Sequence, residues 1–523
     1  MTLGSFISPF GGTAAGSTSS SGDDLAMFQA LHSIEEAART GNAAPVILWI
    51  ARSATLNISV PIPRHVTLSF APGAVLTLSP SARLDIQGRL DAGTERRFDL
   101  RADARVFLRG PLDEIHAAWW GADADAIAHA LNVLWDRYEH GSEPAPIQLS
   151  GPYHLEAPVR VEPPAAVTRQ DQLVDVVIRG RHYGARSPMT FQVKDVDHVG
   201  GMDALLAIDG KVTLTLEDVG FDVTRSSGRP GARSALTLAG DHDRSLIEGC
   251  TFRLGNAKGI DVTVLGLVWR DAFLDSSRGL SAGVGFGALL ILLAGLAAAS
   301  RKADRVSVSR CDFEGVLPDK AGSSIPIAVD ATAPTMMDVS DCQFRGAYDC
   351  AIAFMGSDLV VTHCAFDCTT NPDAADPLRG VDIHLGPRDP SASDAGGLIA
   401  STAHLTVTHC VSTSSTFLVG RQAPSSTRSG GALLTNVLHQ PRSTPSSDGA
   451  SSIRWIGPYD RRSLTLQGCE LGAPVLLLGV ASEGAVVNLG TRFVGLSGTR
   501  EEIIGGSADS VVGLFSPIEP PRT

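Results

Sequence analysis

The chain has 523 residues, 43% hydrophobic, 19% charged and 6% aromatic, with 54 glycines and a net charge of −13. That length exceeds what one compact core normally holds, whereas an elongated repeat fold escapes the limit because each repeat packs only on its neighbours. The acidic balance argues against a phosphate backbone as the main partner, and leaves neutral or cationic partners, or a polyanionic glycan wherever basic residues cluster.

Residues 1–22 are Gly/Ser-rich, with neither a basic segment nor an apolar run of signal-peptide type. They are expected to form a flexible tail, with cytoplasmic synthesis and with release or attachment to a particle left open. Asp23 and Asp24 suit a helix start, and Met27, Ala30, Leu31 and Ile34 follow at helical spacing. Val46 to Ile50 then reads as a strand, followed by Pro61-Ile62-Pro63 before Val66 and Leu68. The order returns about a hundred residues later. Trp119-Trp120-Gly121-Ala122-Asp123-Ala124-Asp125 leads into Ile127, Ala130, Leu131 and Leu134, then Ile147 and Leu149, Gly151-Pro152-Tyr153 and Pro158-Val159-Arg160-Val161. Helix, strand, turn and strand recur, as in a duplicated opening module.

The second of these units resembles the start of pectate-lyase-like right-handed parallel β-helix proteins, a superfamily that includes phage tailspikes and polysaccharide lyases. The family's Asp-rich turn is shortened here to Asp123-Ala124-Asp125. The resemblance implies an all-β chain: a right-handed parallel β-helix, or solenoid, with short N-terminal capping helices. On this reading residues 23–113 are an N-terminal helix-plus-strand module, 114–516 the main parallel β-helix, and 517–523 a frayed Pro-rich tail.

From about residue 205 one pattern repeats: apolar, x, apolar, x, x, Cys or Val, x, Phe. It fits Leu214, Leu216, Val219 and Phe221; Val306, Val308, Cys311 and Phe313; Met337, Val339, Cys342 and Phe344; and Leu359, Val361, Cys364 and Phe366. Leu464, Leu466, Cys469 and Leu471 end on Leu, Ser245 replaces the first apolar residue before Ile247, Cys250 and Phe252, and Ser412 replaces the Phe after Leu405, Val407 and Cys410. Alternation by two points one strand face inward, and the extra residue before Cys shifts the phase and predicts a bend. Cys342 and Cys364 are 22 residues apart, about one coil, and Cys311 and Cys342 are 31 apart, a coil with a longer loop. Stacked coils would align these cysteines as small buried hydrophobes rather than as metal ligands or disulfides. Cys350 and Cys368 fall off this ladder.

Gly279 to Ser300 carries no charge and is long enough to span a membrane. Its glycines and mid-chain place favour a buried strand with an apolar loop over a surface helix or a span. Ala288 to Gly295 also echoes Ser234 to Gly240.

The family's enzymes act on a groove along the helix. Inverting hydrolysis needs one protonated and one ionised carboxylate, and lyases or epimerases need a base, often with a cation. The densest set of such groups here runs from Asp341 to His384. Asp349, Asp382 and His384 are the catalytic candidates, and Arg345, Asp367 and Arg379 the substrate-binding ones. In Val381-Asp382-Ile383-His384, alternation puts Asp382 and His384 on one face, either as an exposed acid/base pair or as plain solvent-facing polarity. His363 and His409 each precede a ladder Cys and are expected at one recurring outward position, as solvated turn residues or as a metal-binding pair. The polygalacturonase Asn-Thr-Asp, paired Asp-Asp, Gly-His-Gly and Arg-Ile-Lys elements are missing, the sole Asp-Asp being Asp23-Asp24, and so is the alginate epimerase Asp-Pro-His-Glu. The reading therefore favours a non-catalytic structural or glycan-binding β-helix, such as a spike or fibre part of a phage-like particle or surface assembly. A lyase, hydrolase or epimerase acting on an extended glycan is the alternative. No metal or cofactor is expected, apart from Ca²⁺ if the protein is a lyase. The expected partner is a polysaccharide or another protein of an assembly, not nucleic acid or membrane. A homotrimer is compatible, although no heptad stretch specifies one.

Overall fold

The computed structural model describes residues 21–39, 45–168, 173–180, 189–193, 202–223, 232–239, 244–254, 289–293, 304–315, 325–331, 335–346, 348, 350–355, 358–368, 380–385, 404–421, 431–442, 451–456, 464–478, 486–496, 504–505 and 511–514. The chain divides into two units. One is formed by Met1–His154, Pro163–Asp171 and Val177–Arg181, and the other by Leu155–Glu162, Gln172–Val176 and His182–Thr523.

The first unit opens with helix α1 (Ser21–Arg39), which buries Met27, Ala30, Leu31 and Ile34 as its spacing predicts. Asp23 and Asp24 do more than start the helix. Their carboxylates accept the backbone N–H groups of Thr55 at 3.1 Å and Asn57 at 2.8 Å, satisfying donors at the free side of the strand Ala54–Leu56. Three full coils follow in residues 46–108, more regular than a simple strand–turn–strand module. Their strands form three parallel sheets of three: Val46–Ile50, Val66–Phe70 and Leu90–Asp91; Ala54–Leu56, Leu76–Leu78 and Phe98–Leu100; and Val60–Ile62, Arg83–Ile86 and Arg105–Leu108. In-register residues such as Val60, Leu84 and Val106 point inward and are buried, while Pro61 faces out. Helix α2 (Ala124–Glu139) is N-capped by Asp123, whose carboxylate accepts from the Ala126 N–H at 3.0 Å. It buries Ile127, Ala130, Leu131 and Leu134. Near its end Arg137 is buried and donates to the carbonyls of Leu108, Gly110 and Glu143 at 2.6, 2.9 and 2.7 Å.

The second unit is a right-handed parallel β-helix of three sheets. The first sheet includes Val212–Glu217, Ser245–Glu248, Asp304–Ser309, Thr335–Ser340, Asp358–Thr362, His404–Thr408, Ala432–Thr435 and Leu464–Gln467. The second includes Gly220–Asp222, Thr251–Leu254, Asp312–Gly315, Gln343–Gly346, Ala365–Cys368, Val411–Ser412, Leu438–His439 and Glu470–Leu471. The third includes Met202–Asp209, Ala232–Ala239, Leu289–Leu293, Ile327–Ala331, Cys350–Met355, Val381–Leu385, Thr416–Arg421 and Ser451–Ile456. The repeated residues form the interior. Phe221, Phe252, Phe313, Phe344 and Phe366 are in register and buried, with adjacent ring centroids 4.8–5.0 Å apart. Phe191 extends the stack at one end, 5.2 Å from Phe221. The ladder cysteines are free and buried, and burial pushes the Cys311 and Cys342 thiols up.

The bend before each Cys is one residue in the left-handed region. Asp218, Arg310, Asp341, His363, His409 and Asn436 have φ between 53° and 55°, and Gly249, Gly468 and Gly490 take the same position. All of them but Gly490 are seen to donate the N–H to the next coil, as Asp341 does to the Thr362 carbonyl at 3.0 Å and His363 to Thr408 at 3.0 Å. Within the uncharged stretch, Leu289–Leu293 is a strand of the third sheet. Leu289 pairs with Leu236 on one side and Ile327 on the other, in the coils that the sequence echo links. Among the described residues no helix is long and apolar enough to cross a membrane.

Candidate functional site

The candidates from the sequence divide between the outside and the inside of the second unit. Asp349 and Arg379 lie outside the described residues. Arg345 and Asp367 stand on the outer side of the second sheet, because they flank inward-facing Phe344 and Phe366. Register stacks Asp222, Arg253, Glu314, Arg345 and Asp367 one above another. With strands about 4.8 Å apart, these five rungs extend roughly 19 Å. Arg253 lies 3.3 Å from Asp222 and 3.7 Å from Glu314. Arg345 pairs with Asp312, whose hydrogen bond raises the guanidinium pKa. Asp367 accepts from Thr413 Oγ1 at 2.9 Å and pairs with Arg442. The column is a half-exposed strip of alternating charges, each matched by a neighbour, so it offers donors and acceptors along the axis without a strong net field.

Asp382 and His384 depart from the expected exposed pair. Every residue of Val381–Leu385 is buried, and Asp382 has no exposed surface. Alternation places the two on one face but does not say whether that face is covered. Asp382 sits in a cage of hydroxyls. Tyr348 donates to Oδ1 at 2.9 Å and Ser412 donates to Oδ2, while Ser414 Oγ is 3.2 Å from the Tyr348 hydroxyl. Burial raises its pKa to about 7, against the lowering effect of the hydroxyl donors. The carboxyl is a buried polar group, not the exposed one that the alternation left open.

The cage continues into a second buried group that sequence reasoning missed. His439 takes the Phe position of its coil, next to Ser412 in register. Its Nε2 is 2.8 Å from the Ser414 carbonyl and therefore carries the proton in the neutral ring. Its Nδ1 is 2.8 Å from Ser452 Oγ, and that hydroxyl is also 2.7 Å from the Ala473 carbonyl. One serine proton thus faces two acceptors. Burial lowers the His439 pKa to about 4, keeping the ring neutral. The signal available in the sequence was the interruption of the Phe ladder at Ser412 and His439. Phe417 closes that interruption, edge-on to Phe366 at 6.0 Å.

His363 and His409 do recur at one outward turn position, with their rings stacked at 5.2 Å and 19°. His409 Nε2 meets Asn436 Nδ2 at 3.1 Å, and His363 Nδ1 lies 3.8 Å from Asp341. Among the described residues no group of three or more His, Cys, Asp or Glu side chains is placed to hold a metal ion. Compared with known proteins, the chain matches no protein-family model, no curated protein and no solved structure.

Proposed function

We propose that the protein is a non-catalytic β-helix of the pectate-lyase-like kind, a spike- or fibre-like part that presents its outer sheet to an extended glycan. The observation that carries this reading is the burial of Asp382, one of the three catalytic candidates. Asp382 is sealed in the interior with its oxygens engaged by Tyr348 and Ser412. General acid/base work needs a group within reach of the substrate proton, and this one is not. The outer column from Asp222 to Asp367 supplies what recognition without cleavage requires: evenly spaced donors and acceptors in line with the axis. Its matched charges suit a neutral or mixed-charge glycan better than a polyanion.

The test is a panel of neutral and acidic polysaccharides incubated with the purified protein, with and without calcium. Retention of intact chains is scored against new reducing or unsaturated ends. Retention without turnover, weakened by Arg345→Ala and by Asp367→Ala, is the expected result. Product formation overturns the reading in favour of a polysaccharide-active enzyme. Neither retention nor product overturns the glycan and moves the role to a structural part whose partner is another protein.

A further inference from the structure

The first unit carries a cavity of its own. Helix α2 and the outer side of the strand Arg105–Leu108 enclose about 340 Å³ between them, a volume within the usual range for small-molecule pockets. Phe107, Trp120 and Trp135 supply apolar walls, and the exposed side chains of Asp103, Asn132 and Glu139 line the same space.

Two residues of the lining show what the cavity offers. Trp120 is more than nine-tenths buried and its indole N–H has no hydrogen-bond partner among the described residues. That donor has almost no accessible surface, so the cavity meets the apolar part of Trp120. Asp103 is also held ready. The Ser81 N–H and hydroxyl donate to its two oxygens at 2.8 and 2.9 Å, which fixes the carboxylate without using all of its lone pairs. Asp136, which lines the cavity too, is already committed to Arg109 through two bonds of 3.1 Å and acts only as wall.

We propose that this cavity binds a single neutral sugar ring. The aromatic walls take its C–H face, and Asp103, Asn132 and Glu139 take its hydroxyls. Indoles and phenyl rings suit a flat apolar face, and carboxylates and amides suit vicinal hydroxyls. The carboxylates of Asp103 and Glu139 outnumber the guanidinium of Arg105, which acts on Asp103, so a uronate is repelled. The inference rests on the glycan reading for its ligand class only, since the site is in the first unit and uses none of the outer column.

The experiment is saturation-transfer NMR on the full chain with glucose, galactose, mannose and N-acetylglucosamine, and with galacturonate as the anionic comparison. At least one neutral sugar should receive saturation, with galacturonate clearly weaker. Asn132→Arg fills the cavity from an exposed helical position that tolerates arginine. It should weaken binding about tenfold or more, equivalent to the loss of a good hydrogen bond, without shifting the melting curve. The cavity is not a sugar site if no neutral sugar shows transfer, if galacturonate does as well, or if Asn132→Arg binds like the wild type. Polysaccharide retention that persists in any of those cases leaves the proposed function standing; loss of both removes glycans altogether.

Discussion

Replacing Asp382 with asparagine keeps the shape of the side chain and removes its charge. The buried carboxyl titrates near 7, against 3.8 for a solvated aspartate, and that gap corresponds to about 4 kcal/mol. The folded pKa is the raised one, so this stability is complete below 3.8, declines as pH rises and is gone above 7. His439 works in reverse. Its ring titrates near 4 rather than 6.5, so its contribution is complete above 6.5 and is lost as pH falls through 4, amounting to about 3 kcal/mol. Between pH 4 and 6.5 the two slopes, each about 1.4 kcal/mol per pH unit, oppose each other and cancel. Asp382→Asn removes one of them. The opening free energy of Val381–Leu385 should then rise with pH by about 1.4 kcal/mol per unit relative to wild type, and His439→Gln should give the mirror image. Amide hydrogen exchange across Val381–Leu385 and Val411–Ser412, converted to opening energies over this range, measures both. A difference between Asp382→Asn and wild type that stays constant with pH would refute the reasoning, because Asp382 would then ionise like a solvated carboxylate.

Three further outcomes follow from the packing. Phe313 is fully buried between rings 4.9 and 4.8 Å away, so Phe313→Ala should cost about 3–5 kcal/mol from the cavity and the two lost stacks, read as lost exchange protection in the flanking coils. His363 is held at φ 54°; His363→Val should therefore destabilise by about 1–2 kcal/mol, whereas His363→Gly should be near neutral in the same melting assay. Arg137→Met strips the buried carbonyls of Leu108 and Gly110 of their guanidinium donor, and the first unit should melt earlier by the equivalent of about 3 kcal/mol or more.

The period of two and the Phe and Cys rungs were legible because each coil repeats the same inward residues in the same order. The three coils in residues 46–108 were harder to see. Their inward positions are filled by Leu, Ile and Val, with Phe98 and Phe70 at isolated places, so no distinctive residue marks the period. The turn position was visible as a phase shift but not as a conformation. Asp218, Arg310, His363 and Asn436 share no chemistry, and the continuous backbone ladder on either side holds each of them left-handed. The site was the least legible part. Asp382 and His384 do share a face, yet alternation says nothing about the cover over it. His439 showed only as a break in the Phe ladder, because a lone histidine in a Phe position looks the same whether it faces solvent or the core.

The cage lies where the aromatic stack ends, and that position has a physical reason. Coils built on one repeated pattern pack almost as well when displaced by a whole rung, so apolar ladders alone do not fix which coil meets which. A buried carboxyl is different. Asp382 is satisfied only when Tyr348, Ser412 and Ser414 arrive from their own coils, and a slipped stack would leave it unpaired at a cost of several kcal/mol. The triple replacement Tyr348→Phe, Asp382→Leu and Ser412→Val keeps the volume roughly constant and makes this part of the interior apolar. Its native state should be as stable as wild type or more so, as replaced buried polar groups often are. Its refolding yield from denaturant should nevertheless fall, with heterogeneous exchange in the coils around Val381–Leu385, because nothing then penalises the wrong register. A triple variant that refolds as completely as wild type, to one uniformly protected state, would show that the apolar rungs and loop lengths set the register and that the cage contributes only local packing.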